Sequence, residues 1–272
     1  MKSLKKYFSL SSNRKSFAKF ACGLMLFAVS LCVSCASNKA IEQIVIEDEE
    51  RGIKMVPIPG KSYCIMETEV TQEIYESVMG ENPSNFKGER NLPVESVSWN
   101  DAASFCNKLS VQEGLEPVYS FEGETEVEKW WNMFNKWDFF PEEKIKWNKN
   151  ANGYRLPTIE EWRYAANGGE SYKYSGSDNI DEVAWNGFVW DKTHPVAQKK
   201  ANGYGLYDMS GNVCEWCWDS KGSSYNCTYS RSYCGGAWAY DSYYCTLDKI
   251  YYSSSGLEKA VIGFRIVRNV DK

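Results

Sequence analysis

Histidine is almost missing from this 272-residue chain, which holds one, His194, followed by Pro195. A facial triad of two histidines and a carboxylate for non-haem iron therefore cannot be assembled. A cysteine–histidine nucleophile pair would rest on the same single imidazole, with no partner assigned to it. Acidic residues are absent from positions 1–35, whereas basic ones run short afterwards: 25 Lys and Arg stand against 36 Asp and Glu, a net charge of −11. An acidic domain repels phosphate backbones, so no general nucleic-acid partner is expected. Also missing is a second C-x-x-C pair to match Cys214 and Cys217; Cys227 and Cys234 are too far apart, which disfavours a zinc site. No internal repeat is visible.

What the first 35 residues do have is a basic lead (Lys2, Lys5, Lys6, Arg14, Lys15, Lys19) and an apolar run, Phe20 to Val33. The run is shorter than the ~20 residues that span a bilayer core, so a cleaved export signal is expected rather than a spanning helix. Its end, Leu31-Cys32-Val33-Ser34-Cys35, puts a small residue before a cysteine and resembles a relaxed lipoprotein box. Acylation at Cys35 would follow, with residues 36–50 as a tether and an exported, membrane-anchored protein at the cell envelope or surface. Beyond Cys35 seven cysteines remain. Export permits disulfides, an odd count leaves one thiol over, and the pairing stays open.

Residues 51–272 read as one α+β domain. Ile53–Pro57 and Tyr63–Val70 read as strands turning at Pro59-Gly60. Thr71, Ser98 and Thr158 open helices; Thr158-Ile159-Glu160-Glu161 has the form of a capping box, and Gly80 and Gly168-Gly169 act as stops. After Gly169, glycine, Asn/Asp turns and aromatics predict loops and short strands, ending in a strand over Val261–Val267. Residues 122–147, with Val127, Trp130, Trp131 and Phe134 at helical spacing, read as an insertion packed on the main core.

Several segments occur in a telling order: Glu67-Thr68-Glu69-Val70-Thr71-Gln72, then Pro93-Val94-Glu95-Ser96-Val97-Ser98-Trp99, then Tyr154-Arg155-Leu156-Pro157-Thr158 with Glu161-Trp162. Asn202-Gly203-Tyr204-Gly205-Leu206-Tyr207-Asp208-Met209-Ser210-Gly211-Asn212-Val213 with Glu215-Trp216 follows, and Gly235-Gly236-Ala237-Trp238 and Gly263-Phe264-Arg265 close the set. The set resembles the formylglycine-generating enzyme (sulfatase-modifying factor) family. The resemblance implies a variant of the C-type lectin fold, with small distorted sheets, a few short helices and much irregular structure.

The same resemblance implies chemistry that can be weighed by residue. Family oxidases turn a peptide cysteine into formylglycine with copper(I) held between two cysteines; here the second maps to Cys245, the first to Tyr240, and the usual tryptophan before Glu215 is Cys214. One thiolate beside a phenol is a poor site for a soft ion, so a copper-dependent oxidase is the alternative reading. A family calcium loop maps to Asp208, Gly211, Val213 and Glu215; two hard carboxylates with carbonyl oxygens suit calcium, although Glu215 could pair with a buried arginine instead.

Residues 223–255 contain eight tyrosines and eight serines. Tyrosine supplies stiff amphipathic contact area and serine adaptable polar contacts, the mixture antibody paratopes use. This stretch also resembles the variable region of retroelement-diversified members of the fold, where a fixed frame (here Gly235, Gly236, Trp238, Cys245, Gly263, Phe264 and Arg265) alternates with exchangeable sites. Those sites would be Tyr240, Asp241, Tyr243, Tyr244, Asp248, Ile250, Tyr251, Tyr252 and Ser253. The expectation is a lipid-anchored, non-enzymatic protein that binds a protein or surface ligand. Its anchor is tested directly: Cys35→Ser should lose metabolic incorporation of labelled palmitate and move the protein from the detergent to the aqueous phase of Triton X-114. Retained label would show that Cys35 is not the acylated residue.

Overall fold

In the computed structural model, the described residues are 46–126, 129–130, 144–187, 192–222 and 229–270. The export signal, Cys35, most of the tether, the greater part of the insertion and Cys227 lie outside them.

Chain order begins with three strands, β1 (Ile46–Asp48), β2 (Ile53–Pro57) and β3 (Tyr63–Met66). β1 lies within the stretch expected as tether and pairs with β2 through Asp48↔Ile53, so the folded part starts earlier than residue 51. Helix α1 (Gln72–Met79) begins where the Thr71 hydroxyl accepts the Ile74 N–H and ends at Gly80, whose φ of +86° suits a residue without Cβ. Helix α2 (Trp99–Gln112) has a capping box between Ser98 and Asp101. Strands β4 (Tyr119–Phe121) and β5 (Ile145–Trp147) form a separate two-stranded ribbon, and β6 (Tyr154–Arg155) follows. Helix α3 (Ile159–Asn167) carries the expected Thr158–Glu161 box and stops at Gly168, φ +65°. A single turn, α4 (Ile180–Val183), precedes β7 (Cys214–Gly222), β8 (Tyr229–Cys234), a 3₁₀ turn (Ser242–Cys245), β9 (Tyr251–Ser254), β10 (Ile262–Gly263) and β11 (Val267–Asn269).

Two sheets result, ordered β1-β2-β3-β11-β6 and β10-β7-β8-β9. The strand expected over Val261–Val267 is instead two short ones, because this segment passes from one sheet to the other. β10 runs parallel to β7 with Gly263 opposite Glu215, whereas β11 runs antiparallel to β3 and β6. Gly263 is required for close approach: a Cβ there would lie 2.3 Å from the Val94 carbonyl oxygen. Between the strands, Phe264 enters the main core edge-on to Phe105 at 5.2 Å, while Arg265 turns the other way.

The main core packs α1 and α2 against both sheets around Trp99, Phe105, Trp216 and Phe264. Its buried indoles are satisfied by backbone: Trp99 Nε1 donates to the Cys217 carbonyl at 2.8 Å and Trp216 Nε1 to that of Val97 at 2.9 Å. These bonds pin the start of α2 to β7. A second core joins Trp162, Ala165 and Ala166 of α3 to Leu206, Met209, Cys217 and Cys234. Cys214 lies in the first core and Cys217 in the second, the opposite-face placement expected of residues three apart on a strand.

Arg265 is wholly buried. Its Nε and Nη2 donate to the two oxygens of Glu215 at 2.6 and 2.7 Å, and Nη2 also reaches the Tyr207 carbonyl at 2.8 Å. Nη1 donates to the Met66 carbonyl at 3.2 Å. Replacing Arg265 with Met would leave the Glu215 carboxylate buried without its partner, a change that costs about 3–5 kcal/mol. The expected result is a lower urea midpoint with an unchanged slope; a midpoint within error of wild type would reject the pair as a fold determinant.

Candidate binding face and its buried frame

The C-terminal face begins where β8 ends. Gly235 and Gly236 hold φ of +97° and +76°, and a Cβ on Gly236 would lie 2.5 Å from the Cys245 sulfur. The glycine lets the 3₁₀ turn close onto the chain and bury Cys245 completely. Further hydrogen bonds fix the turn: Ser210 Oγ donates to the Cys245 carbonyl at 3.0 Å, and the Gly187 N–H to the Tyr240 carbonyl at 2.7 Å. From α3, Arg163 Nε donates to the Leu247 carbonyl at 3.2 Å and its Nη2 to that of Asp248. Trp238 Nε1 closes the other side on the Ala260 carbonyl at 2.9 Å.

This frame sorts the nine exchangeable candidates into two kinds. Tyr243, Tyr244 and Tyr252 are 61, 45 and 39% exposed, and Asp241 and Asp248 are exposed beside them. Tyr240 and Tyr251 are half-buried braces: their rings meet edge to face at 6.1 Å, and Tyr251 stacks on Tyr233 at 5.3 Å and donates its hydroxyl to the Tyr244 carbonyl at 2.9 Å. Ile250 packs against the second core, and Ser253 sits in β9 opposite Arg231. Sequence pattern alone cannot make this division, because adjacent tyrosines look alike until the turn assigns each a side.

The sulfur chemistry is equally clear. All six described cysteines are free and buried. Burial pushes the Cys245 thiol up to about 12, with Asp241 adding to the rise. Burial also raises Cys214 well above the ordinary range, with Cys245 and Cys234 contributing. A protonated, enclosed thiol is a poor nucleophile, and Tyr240 packs against the small cluster that holds Cys245.

The two carboxylates mapped to a calcium loop meet different fates. Glu215 spends both oxygens on Arg265, and Oε2 also accepts the Trp162 indole N–H at 2.7 Å. Asp208 instead has Oδ2 bonded by the Ala197 N–H at 2.7 Å and a buried Oδ1 without a hydrogen bond. Glu69, unassigned at the sequence level, is the third carboxylate here: it accepts from the Val213 N–H at 2.9 Å and the Asn212 side-chain amide at 2.7 Å. Its place in the motif Glu67-Thr68-Glu69-Val70-Thr71-Gln72 was the signal for it. Among the described residues, no three or more His, Cys, Asp or Glu side chains gather as a metal cage. A cation at this loop would have to rest on the Asp208 oxygen and backbone carbonyls, and to that extent the residues fit a hard ion.

Three carboxylates share this interior with one guanidinium. Burial, then the charges of Asp208 and Glu215, push Glu69 well above the carboxylate range; burial pushes Asp208 up to about 6 from 3.8.

The fold is thus α+β, with small sheets and few helices, and its most distinctive face is a tyrosine-bearing turn over a buried thiol. The chain belongs to the sulfatase-modifying factor enzyme 1-like domain family, whose model matches residues 38–270. Treponema denticola variable protein 1 has the same fold, with a TM-score of 0.70 and 32% identity over 83% of this chain and 98% of that one. The chaperone protein LppX of Paenibacillus barcinonensis is 45% identical over 182 residues, 58% of this chain and 62% of LppX. The formylglycine-generating enzyme of Streptomyces coelicolor is 28% identical over 152 residues, 50% of this chain and 35% of the enzyme. The chain spans less than two thirds of either of these last two relatives.

Because the folded state holds the Asp208 proton and the unfolded chain does not, stability should be full below about pH 4 and fall as pH rises toward about 6. The loss from this group is at most about 3 kcal/mol. Asp208→Asn, which keeps an acceptor for the Ala197 N–H, should flatten that part of the melting-temperature profile measured with a chelator present. Parallel profiles for variant and wild type would reject the assignment. Repeating the melts with calcium tests the cation: a rise in wild type that is lost in Asp208→Asn supports it, and indifference to calcium rejects it.

Proposed function

We propose that this protein is a lipid-anchored binding protein of the cell envelope or surface, and that Tyr243, Tyr244 and Tyr252, with Asp241 and Asp248, contact its ligand, a protein or other surface molecule. The observation that carries the reading is the exposure of three large aromatic side chains on a turn whose backbone is tied down from several directions. Such residues gain contact area on binding at little entropic cost, because the turn is already ordered. Tyr240, Ile250, Tyr251 and Ser253 support the face from beneath. Export and acylation at Cys35 account for the basic, apolar N-terminus and place this face outside the cytoplasm. Calcium, on this reading, supports the scaffold through Asp208 and the carbonyls of Gly211 and Val213, while Glu215 serves Arg265. The likeness to Treponema denticola variable protein 1 supports exchange of the outward residues on a constant frame.

The competing reading is a copper-dependent oxidase acting on a peptide cysteine. It is disfavoured by the enclosure of Cys245 and by Tyr240 in the place of the first thiolate. One set of variants separates the two. Tyr243→Ala, Tyr244→Ala and Tyr252→Ala combined should abolish retention of the protein on immobilised surface extract at an unchanged melting temperature, whereas Tyr240→Ala should lower that temperature. Copper(I)-loaded wild type should consume no oxygen with a cysteine-containing sulfatase peptide; turnover lost in Cys245→Ala would overturn the binding-only reading.

A further inference from the structure

Beside the tyrosine turn lies a groove of about 380 Å³, lined by Tyr172, Lys173, Tyr243, Leu247, Asp248 and Lys249. That volume falls at the lower end of small-ligand sites, enough for one or two side chains of a partner. Its two walls come from distant parts of the chain and are joined by the Leu247 N–H donating to the Lys173 carbonyl at 3.4 Å. Arg163 holds the Leu247 and Asp248 carbonyls from below, so one wall is built before any ligand arrives. Tyr172 is 42% exposed, and with Tyr243 and Leu247 it makes the groove largely apolar.

The charges at the rim are unequal. Lys249 is already engaged: its ammonium lies 3.9 Å from the Tyr243 ring centroid and 3.6 Å from Asp248 Oδ2. Lys173 forms no salt bridge among the described residues, and its ammonium lies 5.0 Å from the Tyr174 ring centroid. An exposed apolar slot with an ammonium at its edge that has no carboxylate partner among the described residues suits an apolar group next to an anion. The net charge of −11 beyond residue 35 opposes a polyanion such as nucleic acid, but a single carboxylate is tolerated.

We infer that this groove receives a short segment of a protein partner in which an acidic side chain lies beside an apolar one, the carboxylate on Lys173 and the apolar group between Tyr172 and Tyr243. The inference rests on the binding reading of the tyrosine face and adds to it a wall, Tyr172 and Lys173, that lies outside the exchangeable stretch. Such a wall would make a preference for acidic segments common to all versions of the face.

The probe is a phage-displayed library of random heptapeptides, selected against the full exported chain. The expected consensus places Asp or Glu beside Leu, Ile, Phe or Trp. A synthetic consensus peptide, followed by fluorescence anisotropy, should bind about threefold to tenfold more weakly to Lys173→Glu. That loss should shrink at high salt, Lys173→Arg should retain binding, and the melting temperature should not move. A consensus without acidic residues, or acidic peptides indifferent to Lys173→Glu, would overturn the groove. If such peptides still depended on Tyr243 and Tyr244, the binding face itself would stand. Absence of any enriched peptide would overturn both.

Discussion

The bidentate pair between Arg265 and Glu215 is the contact around which the molecule is arranged. Arg265 sits where the chain passes from the second sheet to the first, and Glu215 lies in β7 directly opposite Gly263. A guanidinium stripped of water is tolerable only if its donors are met. Glu215 and Tyr207 meet them from one segment of the chain and Met66 from another. The pair therefore requires the 207–215 loop, β3 and the crossing segment to converge on one point. Trp162 bonds the same carboxylate and draws α3 in as well.

This arrangement also explains why the neighbouring acidic residues carry little room for chemistry. Asp208 and Glu215 lie close enough for their charges to raise Glu69, Glu215 also raises Asp208, and two backbone N–H groups and an amide hold the two acids in place. Their oxygens serve the frame, except for the one on Asp208 that lacks a partner. The sulfur atoms are spent in a similar way, since Cys214, Cys217, Cys234 and Cys245 fill apolar interior volume. What the frame leaves unused lies outward, on the turn over Ser242–Cys245, where Tyr243 and Tyr244 are exposed. Exposed side chains over a fixed scaffold can in general be replaced at little cost to the fold.

Three features were readable from the sequence because their causes are local. Helix starts at Thr71, Ser98 and Thr158 follow from side chains that cap amides three residues away, and the stops at Gly80 and Gly168 follow from positive φ. The opposite placement of Cys214 and Cys217 follows from strand alternation. The ordered motifs from Glu67 to Arg265 carried the family assignment, since each is a piece of the same convergent frame.

Other features depended on contacts between distant residues, and no local pattern encodes those. The strand expected over Val261–Val267 divides because Arg265 must reach Glu215 across the sheets. Whether Glu215 would bind a cation or an arginine was undecidable until its partner, fifty residues away, was placed beside it. The tyrosines that face outward and those that brace the turn are the same residue type at neighbouring positions, and only the path of the backbone after Gly236 separates them. The groove wall at Tyr172 and Lys173 lies some seventy residues before the turn it meets. Capping, alternation and motif order are settled by a few adjacent side chains, so the sequence by itself determined them. Burial, ion pairing and the shape of a surface depend on which distant segments meet, and only the tertiary structure decided those.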